Sequence, residues 1–157
     1  MVKQKKLSLL SNYSAPELSP GFLLWRVSTA WRSAIERVVG ALNLTHPQFV
    51  LLATLGWLTK EGNLVSQATI GTLAGLDPNT TSQVLRSLEV KKLINRISSS
   101  DARVKNPVLT PEGLSLLQKA LPAVEEADAQ FFNILTDQQR TEIVKLFKTL
   151  IQKKEDF

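Results

Sequence analysis

The chain has 157 residues, no cysteine, one histidine and a formal net charge of +5 at pH 7 from 19 basic and 14 acidic residues. This length suits one domain with its own hydrophobic core, and the lack of cysteine excludes disulfides, thiolate metal sites and cysteine-based redox sensing. The modest basic excess favours polyanionic partners without requiring them.

Residues 1–19 are polar and are interpreted as a flexible N-terminal arm. The only apolar part of this arm, residues 7–10, is too short for the core of a signal peptide. The longest apolar segment, FVLLATLGWL at residues 49–58, is far below the length that spans a bilayer. We therefore expect a cytoplasmic protein without a membrane partner.

A long amphipathic helix is predicted for the segment that begins at Pro20. Its apolar residues recur in alternating steps of three and four, at Leu24, Val27, Trp31, Ala34, Val38 and Ala41. Such a stripe resembles the seam of a coiled coil and needs another surface to cover it.

The middle of the chain predicts a helix-turn-helix. The capping box THPQ at residues 45–48 begins a helix that is apolar on nearly every side, as a central buried helix would be. Ser66 is the predicted N-cap of a two-turn helix, QATIGTLAG, that ends at Gly75. After a tight turn, Pro78 lies in the first turn of the next helix, PNTTSQVLRSLEVKK.

This last helix is predicted to bury Val84, Leu85 and Leu88 on one side. Its N-terminal end carries side chains that pair with base edges in the major groove, and a helix N-terminus attracts phosphate. The candidate DNA-binding residues of the helix are Asn79, Thr80, Ser82, Gln83 and Arg86.

Two short β-prone runs, LINRIS and VKNPVL, flank SSDAR and predict a two-stranded wing. An arginine on such a hairpin can enter the narrow minor groove, an aspartate two residues away can pair with it, and serines can reach phosphates. Outside a winged helix, the same pair would be an ordinary surface ion pair. The candidate DNA-binding residues of the wing are Ser99, Asp101, Arg103 and Lys105.

Charge is distributed unevenly along the chain. Residues 86–105 hold six basic and two acidic residues, whereas residues 110–157 hold six basic and eight acidic ones. The usual explanation of a basic run is a solvated face, but its place beside the wing favours phosphate contacts. The C-terminal segment suits protein contacts better than a phosphate backbone.

Two further helical regions are predicted after the wing. Thr110 and Pro111 begin a helix that runs to about Leu121, and a separate helical segment with Val124 follows it. A second capping box, TDQQ at residues 136–139, begins the last helix.

In this order and spacing, the segment LDPNTTSQVLRSLEVKKLINRISSSDARVKNPVLTPEG, residues 76–113, resembles the MarR family of winged helix-turn-helix transcription regulators. The resemblance implies a mostly α-helical fold with a two-stranded β wing and a winged helix-turn-helix domain at residues 46–110. It also implies dimerisation helices from both termini, at residues 20–45 and 111–157.

The implied function is sequence-specific binding of double-stranded DNA by an obligate homodimer, most simply a repressor on a pseudo-palindromic operator. The family often binds a small aromatic or anionic effector between its dimer and DNA-binding regions, and no cofactor is implied. The chain departs from the family pattern at Lys92, where glycine is common, and at Thr81, where an aliphatic residue is usual. Thr81 is therefore expected to be a core residue, and Lys92 to alter the turn into the wing.

Candidate effector-pocket residues are the aromatic side chains near the first two helices and the single histidine. They are Phe22, Trp25, His46, Phe49 and Trp57. The simpler interpretation assigns them to the core or to a dimer seam.

Neither catalytic nor metal-ligating residues are identified, since one histidine and no glycine-rich phosphate loop leave no recognisable active-site motif. A competing interpretation is a winged-helix module that binds a partner protein through the exposed face of its second helix, without specific DNA binding. RNA binding is less favoured because the wing and that helix lack stacking aromatic residues.

Overall fold

The computed structural model describes residues 10–98 and 105–152. After a short 3-10 turn at Pro16–Leu18, this part of the chain forms six α-helices and a two-stranded antiparallel sheet, which confirms the predicted mostly helical winged fold. The elements in chain order are α1 (Pro20–Gly40), α2 (His46–Thr59), α3 (Gln67–Ala74), α4 (Pro78–Val90), β1 (Ile94–Ser98), β2 (Lys105–Leu109), α5 (Pro111–Phe132) and α6 (Asp137–Gln152).

Local capping sets the helix starts where the sequence predicts them. Thr45 and Gln48 form the reciprocal hydrogen bonds of a capping box at the start of α2. The Ser66 hydroxyl accepts a hydrogen bond from the backbone N–H of Thr69 at 3.1 Å, and α3 ends at Gly75 in the left-handed region, with φ 70°. These contacts satisfy backbone groups that would otherwise lack partners at helix ends.

The hydrophobic core surrounds α2, which packs against α1, α3, α4, α5 and β2. This central position explains why α2 is apolar on nearly every side. The core side chains without solvent exposure come from six elements and are Ile35, Val39, Leu51, Leu52, Leu55, Ile70, Leu85, Leu88, Ile94 and Ala120.

The predicted apolar stripe of α1 is only partly internal. The C-terminal half of the helix is held in the core by Ile35 and Val39, each one residue beyond a predicted stripe position. In the N-terminal half, Leu24 remains 54% exposed and Val27 43% exposed. One half of α1 therefore packs in the core of the chain, while the other presents apolar side chains to solvent.

The predicted end of a helix near Leu121 is wrong, because α5 continues through Pro122 to Phe132. Proline lacks the N–H that would bond to the carbonyl of residue 118. However, Ala120 and Val124 are both buried in the core on either side of it, and tertiary packing outweighs the local preference.

The wing strands pair with Ile94 opposite Leu109 and Ser98 opposite Lys105. Pro107 lies within β2 opposite Arg96, which a two-stranded sheet permits because no third strand of the described residues pairs with the outer edge of β2. Residues 99–104, which contain the predicted wing tip, lie outside the described residues.

Candidate nucleic-acid-binding surface

The two helices of the helix-turn-helix approach closely at Gly71 and Thr81. A β-carbon on Gly71 would lie 2.6 Å from the Thr81 hydroxyl oxygen, so α3 can reach this position only without a side chain. Thr81 is 1% exposed, and its hydroxyl donates to the backbone carbonyl of Asp77 at 2.8 Å. Thr81 is thus a core residue, as its departure from the family pattern led us to expect.

The outward face of α4 is a polar stripe that ends in one apolar residue. Asn79, Gln83, Arg86 and Val90 follow one another in steps of four, three and four, which places them on one side of the helix. All four are exposed, and Leu85 and Leu88 anchor the opposite side in the core. The helix can therefore present amide and guanidinium groups to a groove without disturbing its packing.

Thr80 and Ser82 are half-buried and lie beside this stripe. The Thr80 hydroxyl donates to Asp77 Oδ2 at 2.5 Å, while its backbone N–H donates to Asp77 Oδ1 at 2.9 Å. These hydrogen bonds lower the pKa of the Asp77 carboxyl, the side-chain one most strongly. Because its only hydroxyl proton is directed to Asp77, Thr80 can accept but not donate a hydrogen bond to a ligand in this geometry.

Some of the basic side chains around the wing already have internal partners. Arg96 Nε donates to Glu89 Oε2 at 3.2 Å, and one of its terminal nitrogens donates to Gln67 Oε1 at 3.3 Å. These contacts tie β1 to the end of α4 and to the start of α3. Lys91 is directed toward Asn43 rather than along the outward stripe.

The four wing residues predicted to contact DNA lie within residues 99–105. Ser99, Asp101 and Arg103 lie outside the described residues, and Lys105 is described only as the first backbone position of β2. Their contribution to a nucleic-acid interface stays a prediction.

The five aromatic and histidine residues grouped as an effector pocket lie in separate surroundings. Phe49 belongs to the core, whereas Phe22 and Trp25 are exposed at the start of α1. The His46 ring meets the edge of Trp31, with 5.1 Å between ring centroids. Trp57 is 66% exposed on α2, with the Lys60 ammonium 3.9 Å from the centre of its ring.

Trp57 and Lys60 line a groove of about 750 Å³ between α2 and α5, which the sequence analysis did not identify. The end of β2 contributes Leu109, and Gln118 and Glu125 add polar groups along α5. The apolar side chains from α5 are Leu114, Leu117 and Leu121. The signal in the sequence that could have revealed this groove is the row of leucines at helical spacing directly after the wing. The α5 helix aligns these leucines on one face.

Residues 10–98 and 105–152 show neither a membrane span nor a metal-binding cluster. None of these helices is both long and apolar enough to cross a bilayer. Within the same described residues, no three His, Cys, Asp or Glu side chains gather as a metal site would require.

Comparison of sequences finds bacterial transcription regulators, although no family model matches the chain. The uncharacterized HTH-type transcriptional regulator YdcH of Bacillus subtilis (strain 168) is 35% identical over 123 residues, which cover 78% of this chain and 84% of that protein. The HTH-type transcriptional repressor Rv2887 of Mycobacterium tuberculosis (strain ATCC 25618 / H37Rv) is 32% identical over 131 residues, 83% of this chain and 91% of the repressor.

Solved structures agree with this likeness. The M. tuberculosis MarR family protein Rv2887 has been solved with DNA, and that structure matches 84% of this chain and 97% of its own at 28% identity and a TM-score of 0.62. The same protein with salicylic acid matches at 30% identity, 84% and 96% coverage, and a TM-score of 0.63. CouR from Rhodococcus jostii RHA1 bound to p-coumaroyl-CoA shares the fold at 24% identity, 88% and 96% coverage, and a TM-score of 0.78.

Proposed function

Because the chain belongs to the MarR family of winged helix-turn-helix transcription regulators, we propose that it is a homodimeric repressor that binds a pseudo-palindromic operator. The family regulates transcription and is not a family of enzymes. The observation that carries the proposal is the outward stripe of α4. There Asn79, Gln83 and Arg86 offer groups that read base edges, on a helix held from behind by the core.

Selection of bound duplexes from a random DNA pool tests the proposal most directly. At about physiological salt, where purely electrostatic binding is weak, we expect a pseudo-palindrome whose half-sites lie about 34 Å apart, one helical turn. Recovery of unrelated sequences that bind only at low salt would overturn sequence-specific recognition. That result would favour the alternative, a winged-helix module that binds a partner protein.

Substitutions in the α4 stripe test whether its side chains contact DNA bases or DNA phosphates. Gln83→Ala and Arg86→Ala should relax the preference at particular operator positions by about 1–3 kcal/mol each while leaving non-specific binding nearly unchanged. Arg37→Ala is the matched control for Arg86→Ala, since it removes an arginine charge from an exposed position on α1. An equal loss on every sequence would make the stripe a phosphate-binding surface instead.

The wing is proposed to add a minor-groove contact through Arg103, oriented by Asp101. The proposal is supported by the pairing of β1 with β2, since these strands border residues 99–104. Arg103→Ala should weaken operator binding and reduce the slope of log affinity against log salt by about one. An unchanged affinity and slope would remove the wing from the mechanism.

Among the described residues, the apolar faces of α1 and α6 have no partner, and these faces support the homodimer. The first turns of α1 expose Phe22, Leu24 and Trp25, and α6 has no fully buried residue. The exposed apolar residues of α6 are Val144, Leu146, Phe147, Leu150 and Ile151. Contiguous exposed apolar side chains of this kind favour an interface in which each protomer completes the core of the other.

The mass of the protein in dilute solution tests this assembly. Leu150→Glu would bury a charge in the interface, so we expect the mass of that variant to fall to that of one chain. Thr149→Glu, on the polar side of the same helix, should remain dimeric. A wild-type protein of single-chain mass, or a dimeric Leu150→Glu variant, would contradict the assignment of α6 to the interface.

The groove between α2 and α5 is proposed to hold a small aromatic acid that releases DNA. Trp57 offers a ring for stacking, Lys60 offers a positive charge, and the leucines of α5 offer an apolar wall. The structure of the relative Rv2887 with salicylic acid supports this ligand class. The effector would act by binding more tightly to a dimer whose recognition helices no longer match the operator spacing.

Salicylate titration followed by tryptophan fluorescence tests the groove. We expect a saturable change in emission that is lost in Trp57→Phe and kept in Trp25→Phe, because Trp25 lies on α1 outside the groove. Lys60→Met should weaken binding of the acid, and saturating salicylate should weaken operator binding. A signal that survives in Trp57→Phe would place the ligand elsewhere.

A further inference from the structure

A polar cluster joins the end of the recognition helix α4 to the corner between α1 and α2. Gln48 is only 7% exposed, and its side-chain oxygen accepts hydrogen bonds from the backbone N–H of Thr45 and from Lys91 Nζ, both at 3.0 Å. The Lys91 ammonium also donates to the backbone carbonyl of Asn43. Lys91, the C-cap residue of α4, therefore contacts both the turn after α1 and the first turn of α2.

The other end of the Gln48 amide contacts α4 directly. Gln48 Nε2 donates to the Ser87 hydroxyl oxygen at 3.0 Å, and that hydroxyl donates to the Val84 carbonyl at 2.7 Å. Each atom of the Gln48 amide thus has a partner of the matching kind, which fixes its orientation. Gln48 is the buried centre of this network, so displacement of α4 from the corner would leave a buried amide without its partners and is therefore unfavourable.

Backbone hydrogen bonds close the corner itself. Leu44 N donates to the Val39 carbonyl and Asn43 N to the Gly40 carbonyl, both at 3.0 Å, and Asn43 has a left-handed backbone with φ 57°. This pattern closes the C-terminus of α1, where a positive charge is favourable. Lys91 consequently ties α4 to the helix that carries the apolar dimer face.

We propose that Gln48 and Lys91 form a clamp that sets the angle of the recognition helix relative to α1, and hence the fit of both recognition helices to the operator. The inference rests on the proposed function, in which α1 forms part of the dimer. Lys91 is then a positioning residue. The basic run beside the wing would instead predict a phosphate contact for it.

Lys91→Met tests the clamp, because methionine keeps most of the side-chain stem and removes the ammonium. We expect operator affinity to fall about fivefold, with non-specific affinity and the salt slope unchanged. Lys92→Met is the matched control, since it removes the same charge from the next residue and should leave the preference for the operator intact. A lower salt slope with equal losses on operator and random DNA would overturn the clamp and make Lys91 a phosphate contact.

A double-mutant cycle with Gln48→Leu tests whether the two residues act together. If they form one clamp, the double variant should lose little more operator affinity than either single variant, whereas independent roles would give additive losses and contradict the proposal. Melting curves identify any variant that fails to fold. Lys91→Met alone still decides the matter if Gln48→Leu does not fold, because Lys91 lies at the surface.

A DNA-free measurement separates failure of the clamp from failure of the proposed function. Amide hydrogen exchange at residues 87–93 should be several-fold faster in Lys91→Met than in the wild type or in Lys92→Met, at equal global stability. Unchanged exchange would overturn the clamp even if the wild type selects an operator. Faster exchange in a protein that selects no operator would retain the clamp and reject the DNA-binding function.

Discussion

Gly113 lies against the backbone of Leu93, so closely that a β-carbon on Gly113 would be 1.9 Å from the Leu93 carbonyl oxygen. Thr110 binds the same segment of backbone. Its N–H donates to the Leu93 carbonyl at 3.1 Å, and its hydroxyl donates to the Lys92 carbonyl at 2.7 Å. The first turn of α5 is therefore anchored to the short turn that connects α4 with the wing. This contact explains why threonine and glycine stand three residues apart at the start of α5.

Gly113→Ala should lower the free energy of unfolding by about 3 kcal/mol, since the clash is with backbone and cannot be relieved by rotating a side chain. Denaturant unfolding at a fixed protein concentration measures the loss. Gly40→Ala is the control, because a β-carbon there would meet nothing within 4 Å. Equal stability of the two variants would show that α5 can move away from Leu93 at little cost.

Lys92→Gly should be more stable than Lys92→Ala. Lys92 has a left-handed backbone, with φ 58°, which strains a residue that has a β-carbon. We expect the glycine variant to unfold with a free energy about 0.5–1 kcal/mol higher than Lys92→Ala, which loses the same charge but keeps the β-carbon. If alanine proves as stable as glycine, the turn is unstrained.

Features set by neighbours in sequence could be predicted. The N-caps Thr45, Ser66 and Thr110 bind backbone groups three residues away, so their effect does not depend on the rest of the fold. The left-handed end of α3 at Gly75 and the two wing strands follow from equally local signals.

Features set by distant residues could not be predicted. Gln48 and Ser87 are 39 residues apart, and Trp31 Nε1 donates to Asp128 Oδ1 across 97 residues at 2.6 Å. A single sequence offers no periodicity that would reveal such pairs. The continuation of α5 through Pro122 was not predicted for the same reason. The burial of the residues on either side of Pro122 depends on the packing of α5 against α1.

The Asp77 cap should make stability depend on pH in the acid range. The hydrogen bonds from Thr80 hold the pKa of Asp77 below its usual value of 3.8, so its contribution is full above that value and is lost as the pH falls through the folded-state pKa. Asp77→Asn keeps a capping oxygen that does not titrate. The stability difference between wild type and Asp77→Asn should be constant above about pH 5 and shift against the wild type below pH 4. A stability difference that stays constant across this pH range would show that titration of Asp77 does not affect stability.

His46 should give a second pH dependence, near neutrality. Burial lowers the pKa of His46 below 6.5, and the positive charge of Arg32 acts in the same direction, whereas Glu36 and Asp128 oppose the shift. The folded protein therefore binds this proton less readily than the unfolded chain. The free energy of unfolding should be constant above about pH 7 and decrease as the pH falls through 6.5 toward the lower pKa of the folded state.

The single histidine makes this titration assignable. His46→Phe retains a ring beside Trp31 and removes the ionisable group, so the variant should lose the decrease in stability between about pH 7 and pH 5, above the range in which most carboxylates titrate. If acidification instead stabilises the wild type relative to His46→Phe, the carboxylates of Glu36 and Asp128 outweigh burial and raise the histidine pKa. The sign of the change in stability of the wild type relative to His46→Phe on acidification thus decides whether burial or the nearby carboxylates dominate the pKa of His46.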